Sequence, residues 1–129
     1  MYQRLKGQTA IVTGGGQGLG EALCLRLDKE GCNVVVADIN LSAAENVASK
    51  LTNGAAFQVD VTNEEQVEKM VDFTVEKFGV LDLMVCNAAI LIAKPITEFP
   101  ANEWHKVMDV NLYGYFLSAK AAARVMIPR

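Results

Sequence analysis

The 129-residue chain has only three cysteines, Cys24, Cys32 and Cys86, and no C-x-x-C pair. A small odd number without that spacing excludes a disulfide framework and a cysteine-based zinc site, and suits reduced thiols in the cytoplasm. One histidine is present, His105, beside Trp104; it lacks any triad partner and reads as a surface residue. Lysine and arginine are nowhere clustered and the net charge is −3, which argues against nucleic acid and anionic membranes as partners. No apolar run approaches the length of a membrane span, and the opening MYQRLKGQTAIV lacks a signal-peptide core. The expected location is therefore the cytoplasm. Repeats, low-complexity stretches and linkers are missing too, so residues 1–129 read as one domain or as part of a larger one.

What is present is apolar and ordered by period. Hydrophobic residues make up 51% of the chain and charged ones 21%, enough of each for a core inside a solvated surface. Thr9–Thr13 (TAIVT), Asn33–Asp38 (NVVVAD), Ala55–Val59 (AAFQV) and Leu81–Asn87 (LDLMVCN) read as strands. Three are apolar almost throughout, as strands covered on both faces of a parallel sheet must be; the third is weaker and suits an edge. Between them run helical stripes. Leu19, Ala22, Leu23 and Leu27 form the first, ended by Gly31. Ser42-x-x-Glu45 and Thr62-x-x-Glu65 have the spacing of capping boxes ahead of the next two, which Gly54 and Gly79 follow. A longer helix is expected over about 101–126, burying Trp104, Val107, Met108, Asn111, Tyr115, Phe116, Ala119, Ala122 and Met126. Strictly alternating β and α elements give an open, doubly wound α/β sheet with right-handed crossovers, here with four strands where a full dinucleotide fold has about six.

The first crossover begins with Thr13-Gly14-Gly15-Gly16-Gln17-Gly18-Leu19-Gly20, five glycines in eight positions. Glycine disfavours both neighbouring elements, so the turn itself must need it. Between a strand and a helix, glycines let the backbone approach a ligand while the helix N-terminus turns free N–H groups and its positive dipole end toward an anion. A pyrophosphate is the natural occupant. Asp38 ends the next strand, 24 positions after Gly14, where a carboxylate meets the hydroxyls of an adenosine ribose. It would repel a 2′-phosphate, and the positions where a base could compensate hold Gln17, Ile39 and Asn40. The expected cofactor is NAD in preference to NADP. A tight turn without ligand and a helix-capping Asp38 are the plain alternatives.

With these motifs the chain resembles the N-terminal half of a short-chain dehydrogenase/reductase, a family of NAD(P)-dependent oxidoreductases on a Rossmann-type sheet. TGGGQGLG matches the family's T-G-x-x-x-G-x-G, Asp60-Val61-Thr62 its D-V-T, and Val110-Asn111 its V-N. Cys86-Asn87-Ala88-Ala89 stands where the family has N-N-A-G, departing at Cys86 and Ala89. The resemblance spans essentially the whole chain. It implies that Gly14, Gln17, Gly18, Leu19, Gly20, Asp38, Ile39, Asp60, Val61, Asn87, Ala88, Ala89 and Val110 bind the cofactor, Asp60 and Val61 at the adenine. It implies that Asn111 bends the long helix and positions a water in a proton relay; a buried Asn that satisfies a neighbouring loop is the alternative. The segment Val110–Ile127 is further similar to members acting on sugar alcohols or their phosphates. An alcohol or ketone is the implied substrate, and a homo-oligomer the implied assembly of a complete chain.

The family's chemistry also uses a Ser and a Y-x-x-x-K pair from its second half. One literal match occurs, Tyr2-Gln3-Arg4-Leu5-Lys6, ahead of the first strand and so at the wrong end of the sheet for a ligand. Tyr113 and Tyr115 have no lysine four residues on, and Ser42, Ser49 and Ser118 lie in helical segments. No metal site is expected. Three functions follow: the cofactor-binding half of an NAD-dependent alcohol/ketone oxidoreductase, a non-catalytic dinucleotide-binding module, or an interaction protein pairing through its unfinished sheet edge and its Tyr115–Met126 face.

Overall fold

A computed structural model describes residues 3–129; Tyr2 of the YQRLK match lies outside the described residues. The chain forms β1 (Thr9–Thr13), α1 (Gly18–Lys29), β2 (Asn33–Asp38), α2 (Leu41–Ala48), β3 (Gly54–Gln58), α3 (Glu64–Phe78), β4 (Leu83–Val85), α4 (Ala101–Met108) and α5 (Gly114–Met126). The strands make one parallel sheet in the order β3-β2-β1-β4. The chain thus switches direction between β3 and β4, crossing back over to the other side of β1, as in a doubly wound Rossmann-type sheet.

Strand alternation feeds two cores. Ile11, Val35, Ala37 and Val59 face a layer made by α3 and α5, with Val67, Met70, Val71, Leu117 and Ala121. Val12, Val34 and Val36 face α1 and α2, with Cys24, Ala44 and Val47. β1 and β2 therefore bury both faces, which is why TAIVT and NVVVAD are apolar throughout. β3 is the expected edge, shifted by one residue. β4 is shorter than expected, three residues instead of the run Leu81–Asn87. Its ladder is made to β1 alone, and a strand bonded on one side has less to hold its ends in register.

Three local expectations are corrected. Ser42 and Thr62 do not cap their helices; Asn40 and Asn63 do, accepting the N–H of Ala43 (3.1 Å) and of Gln66 (3.0 Å). The hydroxyls are already engaged, Ser42 donating to Asn40 Oδ1 and Thr62 to Asp60 Oδ1. We expect Asn63→Ala to cost about 1 kcal/mol in urea unfolding and Asn63→Asp to restore it; an unchanged midpoint for Asn63→Ala would assign the helix start to packing alone. On α1 the stripe turns by one residue: Gly20 and Cys24 are buried, while Leu19 and Ala22 are exposed.

The long helix is continuous but contains a π-type turn at Asp109–Tyr113, between α4 and α5. Its buried face after that turn is Gly114, Leu117, Ser118, Ala121 and Ala122. Trp104, Tyr115, Phe116 and Ala119 are exposed, contrary to expectation. At the start of α5 the approach is close: a Cβ on Gly114 would stand 2.9 Å from Val61 Cγ2, so no side chain fits at that position, while Leu117 a turn further on is buried. Small residues occupy the contact and the aromatics turn outward.

Candidate functional site

The carboxyl ends of β1, β2 and β4 open on a cleft of about 440 Å³, in the size range of small-molecule sites. It lies where β2 and β4 flank β1 and their crossovers leave in opposite directions, so no connection covers it.

The glycine loop forms its floor. Gly14 has φ 66°, a conformation L side chains rarely adopt, and a Cβ there would lie 2.9 Å from Ala88 Cα. At Gly20 a Cβ would run into the Gly14 carbonyl and the Asn87 amide, so α1 starts tightly against β4's continuation. The Gln17 side chain caps none of α1's first amides. Those donors point from a helix N-terminus into the cleft, a cradle for an anion.

Each wall has its own support. Asp38, at the end of β2, accepts the Gly16 N–H on Oδ2 (2.9 Å) and the Asn40 N–H on Oδ1 (3.0 Å). It is not the cap of α2. Asp60 accepts the amide and hydroxyl of Thr62 on Oδ1 (2.9 and 2.6 Å), while its own N–H donates to Gln66 (2.8 Å). The carboxylate is thereby held at the mouth beside Val61. On the opposite wall Asn87 Nδ2 donates to the Gly14 carbonyl (3.2 Å), tying β4's continuation to the loop.

Of the expected cofactor residues, Gly14, Gln17, Gly18, Leu19, Gly20, Asp38, Ile39, Asp60, Val61, Asn87, Ala88, Ala89 and Val110 all line this cleft. The cleft brings together residues spread over nearly the whole chain. Asn111 does not line it. Its side chain accepts the Ile90 N–H (2.9 Å) and donates to the Ile90 carbonyl (2.8 Å), so it satisfies the neighbouring loop from inside the π-type turn. Helix irregularity and loop anchoring thus coincide at this residue.

Ile90 lines the cleft, as expected of the segment Ile90–Pro100 after the fourth strand. Sequence reasoning missed two contributors. Val59 lines the cleft as an apolar residue indistinguishable from core in sequence. Thr13, a residue 1% exposed, supports it from below: its hydroxyl accepts the N–H of Asn87 (3.0 Å) and of Ala88 (3.1 Å) and donates to Val85 O (3.4 Å). A threonine at the exact end of a buried strand was its only signal.

Apart from Asp38 and Asp60, the candidate acids, bases and nucleophiles among the described residues stay outside the cleft. Lys120 pairs with Glu64 (3.1 Å), whose hydrogen bond and charge hold the ammonium above its usual range. Ser118 is buried, and Ser49 donates to Asn46 O. His105 sits exposed, edge-on to Trp104. Burial, with a smaller push from Glu21, raises the Cys24 thiol to about 12, and burial also raises Cys86. Both are neutral thiols at physiological pH. Among the described residues no cluster of His, Cys, Asp and Glu could hold a metal ion, and no helix is long and apolar enough to cross a membrane.

Fold and site together define an α/β protein of dinucleotide-binding type. Comparison with known proteins narrows the class. The short chain dehydrogenase family model matches residues 8–129. Zerumbone synthase of Zingiber zerumbet is 40% identical over 98% of this chain and 49% of its own length. (+)-Borneol dehydrogenase 2 of Salvia officinalis is 41% identical over 97% of this chain and 46% of its own. In three dimensions a short-chain type dehydrogenase/reductase from Mycobacterium marinum superposes with a TM-score of 0.94 at 32% identity, covering 98% of this chain and 53% of that one. The chain belongs to the short-chain dehydrogenase family and spans about half the length of these relatives.

Proposed function

We propose that these residues form the cofactor-binding half of an oxidoreductase that exchanges hydride between an alcohol/ketone pair and NAD, with NAD preferred over NADP. The cleft lining carries the reading: it holds two carboxylates, Asp38 and Asp60, and neither lysine nor arginine. A ribose 2′-hydroxyl donates to a carboxylate; a 2′-phosphate is repelled by it and finds no cation to pair with. The cradle of Gly14 and Gly20 and the free amides of α1 fit a pyrophosphate, and Asp60 with Val61 suits the adenine edge. When bound, the nicotinamide supplies the hydride acceptor.

The expected behaviour of Asp38→Ala is a roughly 10- to 100-fold fall in the ratio of NAD to NADP affinity, the value of hydrogen bonds to one charged acceptor. Calorimetric titration of both dinucleotides checks it. An unchanged ratio would reduce Asp38 to a structural acceptor of the Gly16 and Asn40 amides.

No tyrosine–lysine pair or catalytic serine faces the cleft among the described residues, so proton exchange with substrate depends on groups outside them. Loss of a positioned acid/base forfeits roughly 10²- to 10⁴-fold in rate, and turnover by the 129 residues alone is expected to be negligible. A non-catalytic dinucleotide module is the second reading, resting on the same glycine loop and Asp38. The intact mass of the protein from its source separates the two.

For the substrate side, Ala88, Ala89, Ile90 and Val110 make an apolar wall. Lys94, the one cation in the following segment Ile90–Pro100, is bound by both oxygens of Glu103 (2.7 and 2.9 Å). An alcohol or ketone on an apolar frame, as the name of the borneol dehydrogenase suggests, suits this half better than the sugar alcohol or sugar phosphate to which its wording is similar. Leu112 and Phe116, both exposed, suit burial in a homo-oligomer of the complete protein. The free thiols of Cys24, Cys32 and Cys86 suit the cytoplasm.

A further inference from the structure

Asn53-Gly54 lies where the chain passes from α2 into β3, and no other asparagine of the chain precedes a glycine. Space requires the glycine: a Cβ at position 54 would stand 2.8 Å from the Ala48 carbonyl oxygen, 2.9 Å from Leu51 Cβ and 3.0 Å from Leu51 Cδ1. The turn is held through Thr52, whose amide and hydroxyl both donate to Asp28 (2.9 and 3.3 Å). Asn53 is exposed and its side chain takes part in neither bond. Its carbonyl begins the ladder by accepting the Val34 N–H (2.9 Å). Val34 pairs with Gly54 in parallel register, so its bonds run to residues 53 and 55, and the Gly54 N–H points away from β2. β3 is the edge of the sheet, and no strand lies on that side. The Gly54 nitrogen is therefore left unpaired by the sheet, next to an exposed side-chain amide.

We propose that Asn53 is a site of spontaneous covalent modification, in which the Gly54 nitrogen attacks Asn53 Cγ and closes a succinimide ring. The new N–Cγ bond forms as the Cγ–Nδ2 bond breaks, and the Gly54 amide proton leaves with Nδ2 as ammonia. One water then opens the ring. Attack at Cγ restores the ordinary backbone and leaves an aspartate; attack at the Asn53 carbonyl carbon leaves an isoaspartate, its backbone running through Cγ. Nothing is oxidised or reduced. Glycine favours the first step because no side chain screens its nitrogen. The same glycine cannot be exchanged freely, since α2 leaves no room for a Cβ. Either product places a carboxylate in a crevice that Asn53 shares with Asp28, Lys6 and Thr52, and adds one negative charge to the net −3. The isoaspartate also lengthens the backbone immediately before Gly54, which has no slack against α2, so the first rung of the β2–β3 ladder has to shift.

The test ages the protein at neutral pH, folded and in parallel unfolded in urea, and follows both samples by peptide mapping with mass spectrometry. The expected result is a gain of about 1 Da on the peptide that carries Asn53, ahead of every other asparagine, with aspartyl and isoaspartyl products both present. The rate in the folded protein should lie within roughly tenfold of the rate in urea, since an exposed turn at a sheet edge opens at little cost. Asn53→Gln keeps a side-chain amide in the turn but would have to close a larger, slower ring, and should not gain the mass. In the isoaspartyl form, separated by ion exchange, the Val34 amide should exchange with solvent faster than in the unmodified protein. Protection of Asn53 by the fold beyond about tenfold overturns the inference, because the turn then holds nitrogen and Cγ apart. So does a gain that appears first at another asparagine, or one that persists unchanged in Asn53→Gln. A Val34 amide equally protected in the isoaspartyl form overturns the shift of the ladder.

Discussion

Gly14→Val abolishes dinucleotide binding, an expected loss beyond about 100-fold in affinity. Two independent effects converge on this residue. At φ 66° a branched side chain is strained before it meets anything, at a cost of about 1–3 kcal/mol. Its Cβ also lies 2.9 Å from Ala88 Cα and 3.1 Å from both the Ala88 amide nitrogen and Asn87 Nδ2, two of them backbone atoms that cannot swing aside. The loop has to lift from β4's continuation, which carries the Gly14 carbonyl away from Asn87 and tilts the first amides of α1 off the cleft. Titration with NAD, alongside circular dichroism to show that the fold survives, measures the loss. If Gly14→Val binds NAD as tightly as the wild type, every nucleotide reading of the loop loses its basis.

Thr13→Val is expected to have the largest effect on stability among conservative changes at the site. The substitution keeps volume and strand propensity but removes an oxygen that accepts two amides, those of Asn87 and Ala88. Each half-buried N–H left unpaired costs about 1–3 kcal/mol, and the two share one acceptor, so a combined loss of about 2–4 kcal/mol follows. Thr13→Ser, which restores the oxygen, should recover most of it. Urea unfolding of the three proteins gives the comparison. A Thr13→Val loss under about 0.5 kcal/mol would show that water reaches both amides, and that β4's short ladder needs no hydroxyl to extend it.

The two outcomes bear on different layers of the protein. Gly14 governs what the loop can hold. Thr13 governs whether the sheet ends stay together at the point where the loop and β4's continuation separate. A protein that loses stability at Thr13 yet retains the NAD preference proposed for Asp38 would show these layers to be separable.

The alternation TAIVT, NVVVAD, LDLMVCN against helical stripes determined the sheet, the crossovers and the edge position of β3 from sequence, because apolar period reports burial directly. The cleft residues were equally legible, since glycine spacing, an acid after the second strand and the D-V-T and V-N pairs each have a local chemical reason. The caps were misassigned by one or two residues, because Ser42, Thr62, Asn40 and Asn63 are all competent caps and only the chain's path decides which oxygen meets the free amide. The inward face of α5 was misread because size was taken for burial, whereas the face turned inward is Gly114, Leu117, Ser118, Ala121 and Ala122, with Gly114 set against Val61 and Tyr115 and Phe116 exposed.

Sequence by itself determined that this chain is a four-strand parallel α/β unit with a glycine loop after its first strand and an acid at the end of its second. Only the tertiary structure decided that Asn111 holds Ile90 and that Thr13 bears two amides of β4's continuation. It alone brought Gly16 against Asp38. The division has one physical cause. Period and loop chemistry act between residues near in sequence, while a hydroxyl's partners or the space beside a glycine depend on segments that meet only when the sheet closes.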